Sequence, residues 1–330
     1  MAEKYDLVII GSGPAGLSAA VYAQRAKLDT LVIEKEMMSG GQVLTTYEVD
    51  NYLGLPGMNG FDLGMKFREH ADRLGAVFAE DTVQRITICG AGEEEELAAA
   101  ELKALPGKRP FTGWKTVEGV KNTYRAKAVI IATGATHKKL GVPGEEEFTG
   151  MGVSYCATCD GAFFRKKVTA VVGGGDVAIE DAIFLSRMCS HVYLIHRRDE
   201  LRGAKSLQER LFSLDNVTVL WDSVVEEIQG EGKVSAIALK NVRTQKSSRL
   251  KVDGVFIAVG ITPNSSPYEG LVEMDHGYIC ADETGAASVP GIFAVGDVRT
   301  KKLRQIVTAV ADGANAVSSV EHFLNSCEVR

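Results

Sequence analysis

Cysteine, excess positive charge and long apolar runs are all in short supply in this 330-residue chain. Six cysteines do not make a disulfide scaffold of the kind that holds small secreted domains together. No apolar run approaches the roughly 18 residues that a membrane-spanning helix needs. The opening stretch, MAEKYDLVIIGSG, has no basic leader, apolar core and small-residue cleavage site, so a secretory signal is not expected. Lys and Arg number 37 against 43 Asp and Glu, a net charge of −6. That balance gives no electrostatic reason to expect nucleic acid or an anionic membrane as a partner. These absences lead to the expectation of a soluble, cytoplasmic protein. What the chain does have is 45% hydrophobic content, enough for sizeable cores, and at roughly 150 residues per domain a length for about two of them.

Cys89, Cys189, Cys280 and Cys327 stand singly and read as ordinary reduced cysteines. Only Cys156 and Cys159, in GVSYCATCDGAFF, have a partner in reach. A tetrahedral zinc site needs a second such pair or a nearby His-x-x-x-His, and none follows. His191 and His196 flank the run VYLI, where a strand points them to opposite faces. No metal is expected. Cys-x-x-Cys beside a βαβ pattern in a cytosolic chain is a redox signal, and a redox pair is the reading adopted.

Two glycine motifs suggest what drives the pair. In YDLVIIGSGPAGLSAAVYAQRAKLDTLVIEK a short β-branched run at residues 5–10 leads into Gly11, Gly13 and Gly16, then a helical stretch to about Lys27. A second apolar run, Leu31 to Ile33, ends in Glu34. In this spacing Gly11 allows the tight turn, Gly13 lets backbone approach a pyrophosphate, and Gly16 lets helix pack on strand. The helix N-terminus offers free N–H groups to phosphate, and Glu34 is placed to accept hydrogen bonds from a ribose diol. The second motif, KVTAVVGGGDVAIEDAIFLSRMCSHVYLIHRRDELR, repeats the pattern with a strand at Val168 to Val172, then Gly173, Gly175 and Ala178, a helix to about Met188 and a strand at Val192 to Ile195. Glu34 lies 23 residues after Gly11; the same count from Gly173 reaches His196, followed by Arg197 and Arg198, with Arg202 close behind. A basic cluster there suits a 2′-phosphate. The first site is therefore expected to hold FAD, and the second NADPH in preference to NADH. Near the C-terminus an apolar strand ends in Gly296-Asp297, where the aspartate can accept from a sugar-alcohol hydroxyl.

GSGPAG at 11–16, GGQV at 40–43, NYLGLPG at 51–57, ATGA at 132–135, CATCDG at 156–161, HRRDELR at 196–202, GITPN at 260–264 and the GD with RQIVTAVADGANA at 296–316 occur in one order over nearly the whole length. In that order they resemble the low-molecular-weight, bacterial-type thioredoxin reductases of the pyridine nucleotide-disulfide oxidoreductase family. The resemblance implies an α/β fold with two Rossmann-like dinucleotide-binding domains. The NADPH domain, 138–263, is inserted into a discontinuous FAD domain, 1–137 and 264–330. It implies FAD contacts from Gly11, Ser12, Gly13, Pro14, Ala15, Gly16, Glu34, Lys35, Gly41, Gln42, Asn51, Ala132, Thr133, Gly134, Gly296, Asp297, Arg304, Gln305 and Ile306. For NADPH it implies Gly173, Gly174, Gly175, Asp176, Val177, Ala178, His196, Arg197, Arg198, Arg202 and Gly260. Cys159 would lie against the flavin, Cys156 would attack the disulfide of a thioredoxin or thioredoxin-like protein, and Asp160 matches the family's proton donor. A homodimer is implied as well, and so is a domain rotation with hinges near Gly134 and Gly260.

Antiparallel meanders are expected around 81–127 in the FAD domain and from VVEEIQG to VFIAV in the NADPH domain. The segment 90–122 is longer than the hairpin expected, and Glu93 to Glu96 read as a solvated loop tip. Three other readings stay open on sequence alone: a related flavin-dependent reductase fed by reduced ferredoxin, a dithiol oxidase passing electrons to oxygen, and a non-catalytic redox sensor.

Overall fold

The computed structural model describes residues 3–46, 49, 51–88 and 113–326. Cys89, Cys327 and the acidic run from Glu93 to Glu96 lie outside the described residues. The chain divides into two compact units, one of Met1–Leu44, Phe61–Thr136 and Pro263–Arg330, the other of Thr45–Gly60 and His137–Thr262. The segment Thr45–Gly60 clusters with the second unit.

In the first unit β1 (Glu3–Ile10), α1 (Pro14–Arg25), β2 (Thr30–Glu34), α2 (Gly60–Arg73) and β3 (Val77–Glu80) wind a parallel sheet, continued by β4 (Val83–Ile88), β5 (Lys115–Gly119) and β6 (Thr123–Ile131). Its order is β3-β2-β1-β6-β5-β4. β1 is central, pairing in parallel with both β2 and β6, so that Val8 faces Leu31 on one side and Val129 on the other. A strand covered on both faces should be apolar throughout rather than alternating. The burial of β1 obeys this: Leu7 and Ile9 enter one cluster with Leu17 and Ala20 of α1, while Val8 and Ile10 enter another with Val117 and Tyr124. β4, β5 and β6 are antiparallel neighbours, the meander expected from the sequence.

β7 (Ala135–His137) carries the chain into the second unit, where β8 (Val153–Ser154) precedes the short helix α3 (Ala157–Asp160). β9 (Val168–Gly173), α4 (Asp176–Ser186), β10 (His191–Ile195), α5 (Lys205–Phe212) and β11 (Val217–Leu220) follow. β12 (Ser223–Gly230), β13 (Val234–Asn241) and β14 (Ser247–Lys251) form an antiparallel sheet before β15 (Gly254–Ala258) returns to the parallel one, ordered β11-β10-β9-β15-β8. β16 (Ile261–Pro263) then pairs with β7. α4 seals one face of this sheet through Ala178, Ile179 and Ala182; Ile228, Ile237 and Leu239 of the antiparallel sheet seal the other.

Back in the first unit come two short strands, β17 (Met274–Asp275) and β18 (Tyr278–Ile279), then β19 (Ile292–Ala294) beside β6 and the long α6 (Ile306–Ser326). α6 lies on α1, where Ser18 Oγ donates to the Val310 carbonyl at 2.7 Å. A Cβ on Gly313 would stand 2.1 Å from the Ala15 carbonyl oxygen. Glycine is what lets the two helices touch. No helix of the described residues is long and apolar enough to cross a membrane.

Candidate active site: a dithiol pair and two dinucleotide cradles

Cys156 and Cys159 are joined as a disulfide, with Cα atoms 5.3 Å apart. Cys156 is the extended N-cap of α3, and its sulfur accepts the Cys159 N–H at 3.2 Å. A sulfur in that position faces backbone donors, which favour a thiolate once the disulfide opens. Both cysteines are half-buried and Thr158 between them is exposed. Asp160 closes the helix. Burial holds its carboxyl above the usual range, a hydrogen bond from Ser154 partly countering the rise. That Oγ–Oδ2 distance is 2.6 Å, whereas Oδ1 is buried with no hydrogen-bond partner among the described residues. Cys189 is a buried free thiol and Cys280 a half-buried one, in line with their reading as ordinary reduced cysteines. Among the described residues no group of three or more His, Cys, Asp or Glu is placed to hold a metal.

The first glycine turn sits where β1 becomes α1. A Cβ on Gly16 would lie 1.9 Å from the Gly11 carbonyl oxygen, and one on Gly11 would lie 2.5 Å from that of Ala132. Gly13, by contrast, meets nothing within 4 Å. It is also the N-cap of α1, with Pro14 next and no side-chain cap, so the helix presents its first N–H groups outward. Ser12 is fully buried; its N–H and Oγ both donate to Glu34 Oε2 at 2.7 Å. Glu34 Oε1 accepts the Lys35 and Glu36 N–H groups. The acid at the end of β2 is thus tied to the glycine turn. Lys35, Gly41 and Gln42 are exposed, and Gln42 donates to the Ala135 carbonyl. Asn51 lies in the segment that clusters with the second unit.

Thr133 and Gly134 are held by Asn264, which donates from Nδ2 to the Thr133 carbonyl at 2.9 Å and from its N–H to that of Gly134 at 3.0 Å. Gly296 takes φ +72°, a left-handed conformation suited to glycine, and a Cβ there would press on Ala15. Asp297 beside it has a buried Oδ1 with no partner among the described residues, and burial raises its carboxyl. An acceptor left in that state fits a hydroxyl-bearing ligand. Arg304 stacks over Tyr278 at 4.2 Å, and Gln305 and Ile306 open α6.

The second turn has the same plan. Cβ atoms on Gly173 or Gly174 would collide, the first with Ala178 and the Ala258 carbonyl, the second with His196, whereas Gly175 faces open space and caps α4 without a side-chain bond. Val177, in the first turn of α4, is 56% exposed. Arg197, Arg198 and Arg202 are exposed and make no ion pair among the described residues. Two members of the sequence-derived set behave otherwise. His196 is buried, burial lowers its pKa, and Nδ1–H donates to the Gly173 carbonyl at 2.9 Å. It props the glycine turn from beneath and does not join the arginines in solvent. Asp176 Oδ1 accepts the Ala204 N–H at 2.7 Å, and Arg202 N–H donates to the Gly174 carbonyl at 2.7 Å, so the loop bearing Arg202 is pinned to the cradle. Gly260, at φ +123°, accepts from Lys138 N–H at the chain crossing.

Sequence reasoning missed Ser154, Asn264 and Asp312. Asp312 had a signal, being the lone charge within VTAVADGANAV. It is buried on α6 and accepts from Gly296 N–H, Lys301 Nζ and, bidentately, Arg299.

A family model described as pyridine nucleotide-disulphide oxidoreductase matches residues 5–313. The chain belongs to this family. Thioredoxin reductase of Bacillus subtilis (strain 168) is 44% identical over 326 residues, spanning 98% of this chain and 96% of its own. That of Listeria monocytogenes (serovar 1/2a, strain EGD-e) is 45% identical over 330 residues, with the same coverage. Among solved structures, thioredoxin reductase from Streptococcus pyogenes MGAS5005 has a TM-score of 0.87 at 44% identity, covering 99% of this chain and 100% of that one. The family name already joins a pyridine nucleotide to a disulfide; this oxidoreductase brings one Cys-x-x-Cys and two glycine cradles to that task.

Proposed function

We propose that this oxidoreductase is an NADPH-dependent thioredoxin reductase, with FAD in the first unit, NADPH in the second, and a thioredoxin-type protein disulfide as final acceptor. The observation that carries the reading is the Cys156–Cys159 disulfide at a helix N-cap, in the unit that also holds the second glycine cradle and its exposed arginines. The thioredoxin reductases of Bacillus subtilis and Listeria monocytogenes, of nearly equal length, support it. Homodimer formation and a cytoplasmic location belong to the same proposal. Bound FAD supplies a two-electron couple between NADPH and the disulfide.

The chain's own residues do the rest. Reduction of Cys156–Cys159 takes up two electrons and yields a dithiol, with Cys156 favoured as thiolate by the Cys159 N–H. The Cys156 sulfur attacks one sulfur of the partner disulfide, forming a mixed disulfide and releasing the first partner thiolate. Cys159 then attacks Cys156, which re-forms the internal disulfide and releases the second. Asp160, whose carboxyl burial raises above the usual range, is the proton donor to a departing thiolate. Arg197, Arg198 and Arg202 grip the 2′-phosphate and favour NADPH over NADH. That grip is what a ferredoxin-fed reductase would not need.

The test is trapping. Reduced Cys159→Ser is expected to accumulate a covalent adduct through Cys156 with a thioredoxin that lacks its own resolving cysteine and carries the remaining one as a mixed disulfide with thionitrobenzoate, which leaves as the adduct forms, seen by intact-mass spectrometry. Cys156→Ser should give none. An adduct through Cys159 in Cys156→Ser, equal in yield, would reverse the assigned roles.

A further inference from the structure

Ser154 occupies a place in the dithiol centre that the sequence did not single out. It ends β8, registered by its pairing opposite Phe256 of the buried β15, and is itself 5% exposed. Its hydroxyl oxygen has three neighbours in reach: Asp160 Oδ2 at 2.6 Å, Cys156 N–H at 3.0 Å and the Cys156 carbonyl at 3.3 Å. A hydroxyl has one proton to give and two lone pairs to accept with. With Asp160 ionised, Ser154 donates to Oδ2 and accepts from Cys156 N–H. With the proton on Oδ1, Ser154 still donates to Oδ2, now the carbonyl oxygen of a neutral acid, and still accepts from Cys156 N–H. Both protonation states are satisfied with no heavy atom moving, and in both Oδ1 is left without a protein partner.

We propose that Ser154 is a positioning residue that registers Asp160 to the exchange cysteine and keeps it in place as it gains and loses its proton, leaving Oδ1 as the face for delivery. This rests on the reading of Asp160 as proton donor. The step moves a proton only: an O–H bond at Asp160 breaks as an S–H bond forms on a thiolate of the pair, with no change of oxidation state. The turn Gly161–Phe164 and α4 make the main contacts with α3 among the described residues. The turn Gly161–Phe164 carries no titratable side chain, and α4 carries Asp176, Glu180 and Asp181; of these none exerts a resolved effect on Asp160, where burial and Ser154 alone act.

The experiment uses the holoenzyme. The infrared band of a protonated carboxyl, assigned by its loss in Asp160→Asn, reports the titration of Asp160 independently of turnover. Ser154→Ala removes a bond to the ionised form, so the band should persist to higher pH, by about one pH unit, and the alkaline fall in thioredoxin-dependent rate should move with it. At neutral pH turnover should fall roughly tenfold. Ser154→Thr, which keeps the hydroxyl, should restore both readings. In an Asp160→Asn background, Ser154→Ala should add nothing, since the cycle isolates what Ser154 does through Asp160. An unmoved band, or an equal rate loss in the Asp160→Asn background, overturns the assignment to Ser154. Full activity of Asp160→Asn overturns instead the proton-donor reading beneath it.

Discussion

Asp312 shows how a single buried charge shapes the first cradle. It accepts Arg299 Nε at 2.9 Å and Nη2 at 2.7 Å, Lys301 Nζ at 2.8 Å and the Gly296 N–H at 2.9 Å. Burial alone would raise its carboxyl, but these donors outweigh it and hold the pKa below the usual range. Asp312 and Arg299 are both almost wholly enclosed. Breaking such a pair from one side leaves an uncompensated charge and costs about 3–5 kcal/mol. Asp312→Ala should lower stability by that order in chemical unfolding, while Asp312→Asn, which keeps the shape, tests the charge alone. The sign with pH follows from linkage: a carboxylate with a depressed folded-state pKa stabilises above its unfolded pKa of about 4, and the contribution disappears as pH falls through the folded value. The Tm gap between wild type and Asp312→Asn should therefore close on acidification below about pH 4. At the second cradle the charges are exposed, and the role proposed for them is recognition. Arg197→Ala with Arg198→Ala should raise the KM for NADPH by about 10- to 100-fold, the value of charge-assisted bonds to phosphate. The KM for NADH should hardly change. Equal losses with both nucleotides would show that the arginines serve the fold instead.

Elements were more legible in the sequence than side-chain partnerships. The strand–glycine–helix runs at 5–27 and 168–188 were readable because a buried parallel strand is an unbroken β-branched run and the turn after it needs glycine at fixed places, a Cβ striking backbone at Gly11, Gly16 and Gly173. Their ends moved by only a few residues; α1 stops at Arg25 and α4 at Ser186. Neither the inward turn of His196 nor the commitment of Asp176 to Ala204 could be read, since both depend on a loop folding back over the cradle from 20 or more residues away. Ser154 was invisible for a similar reason, as its meaning lies in a helix end that brings Asp160 back to it. The contact of α1 with α6 gives an element-scale test. Gly313→Ala puts a methyl 2.1 Å from the Ala15 carbonyl and 2.9 Å from the Ala19 nitrogen, both backbone atoms that cannot step aside. The helices must part, at a cost of about 1–3 kcal/mol. Thermal unfolding should register it, whereas alanine at Gly232, where nothing lies within 4 Å but φ is +69°, should cost less.

At the scale of the whole molecule, one chain carries two dinucleotide cradles, each on its own parallel sheet, and one disulfide that lies in the second unit with its helix. In the proposed relay Arg197 and Arg198 hold the electron donor and the electrons leave through Cys156. The most direct test follows the flavin absorbance of the purified holoenzyme under anaerobic conditions, with NADPH, then NADH as control, then oxidised thioredoxin. Rapid bleaching by NADPH, much slower bleaching by NADH and return of the oxidised spectrum on adding thioredoxin are expected of the relay, this last step being lost in Cys156→Ser. A flavin that stays oxidised with both nicotinamides would contradict it and point to another electron donor for the same disulfide.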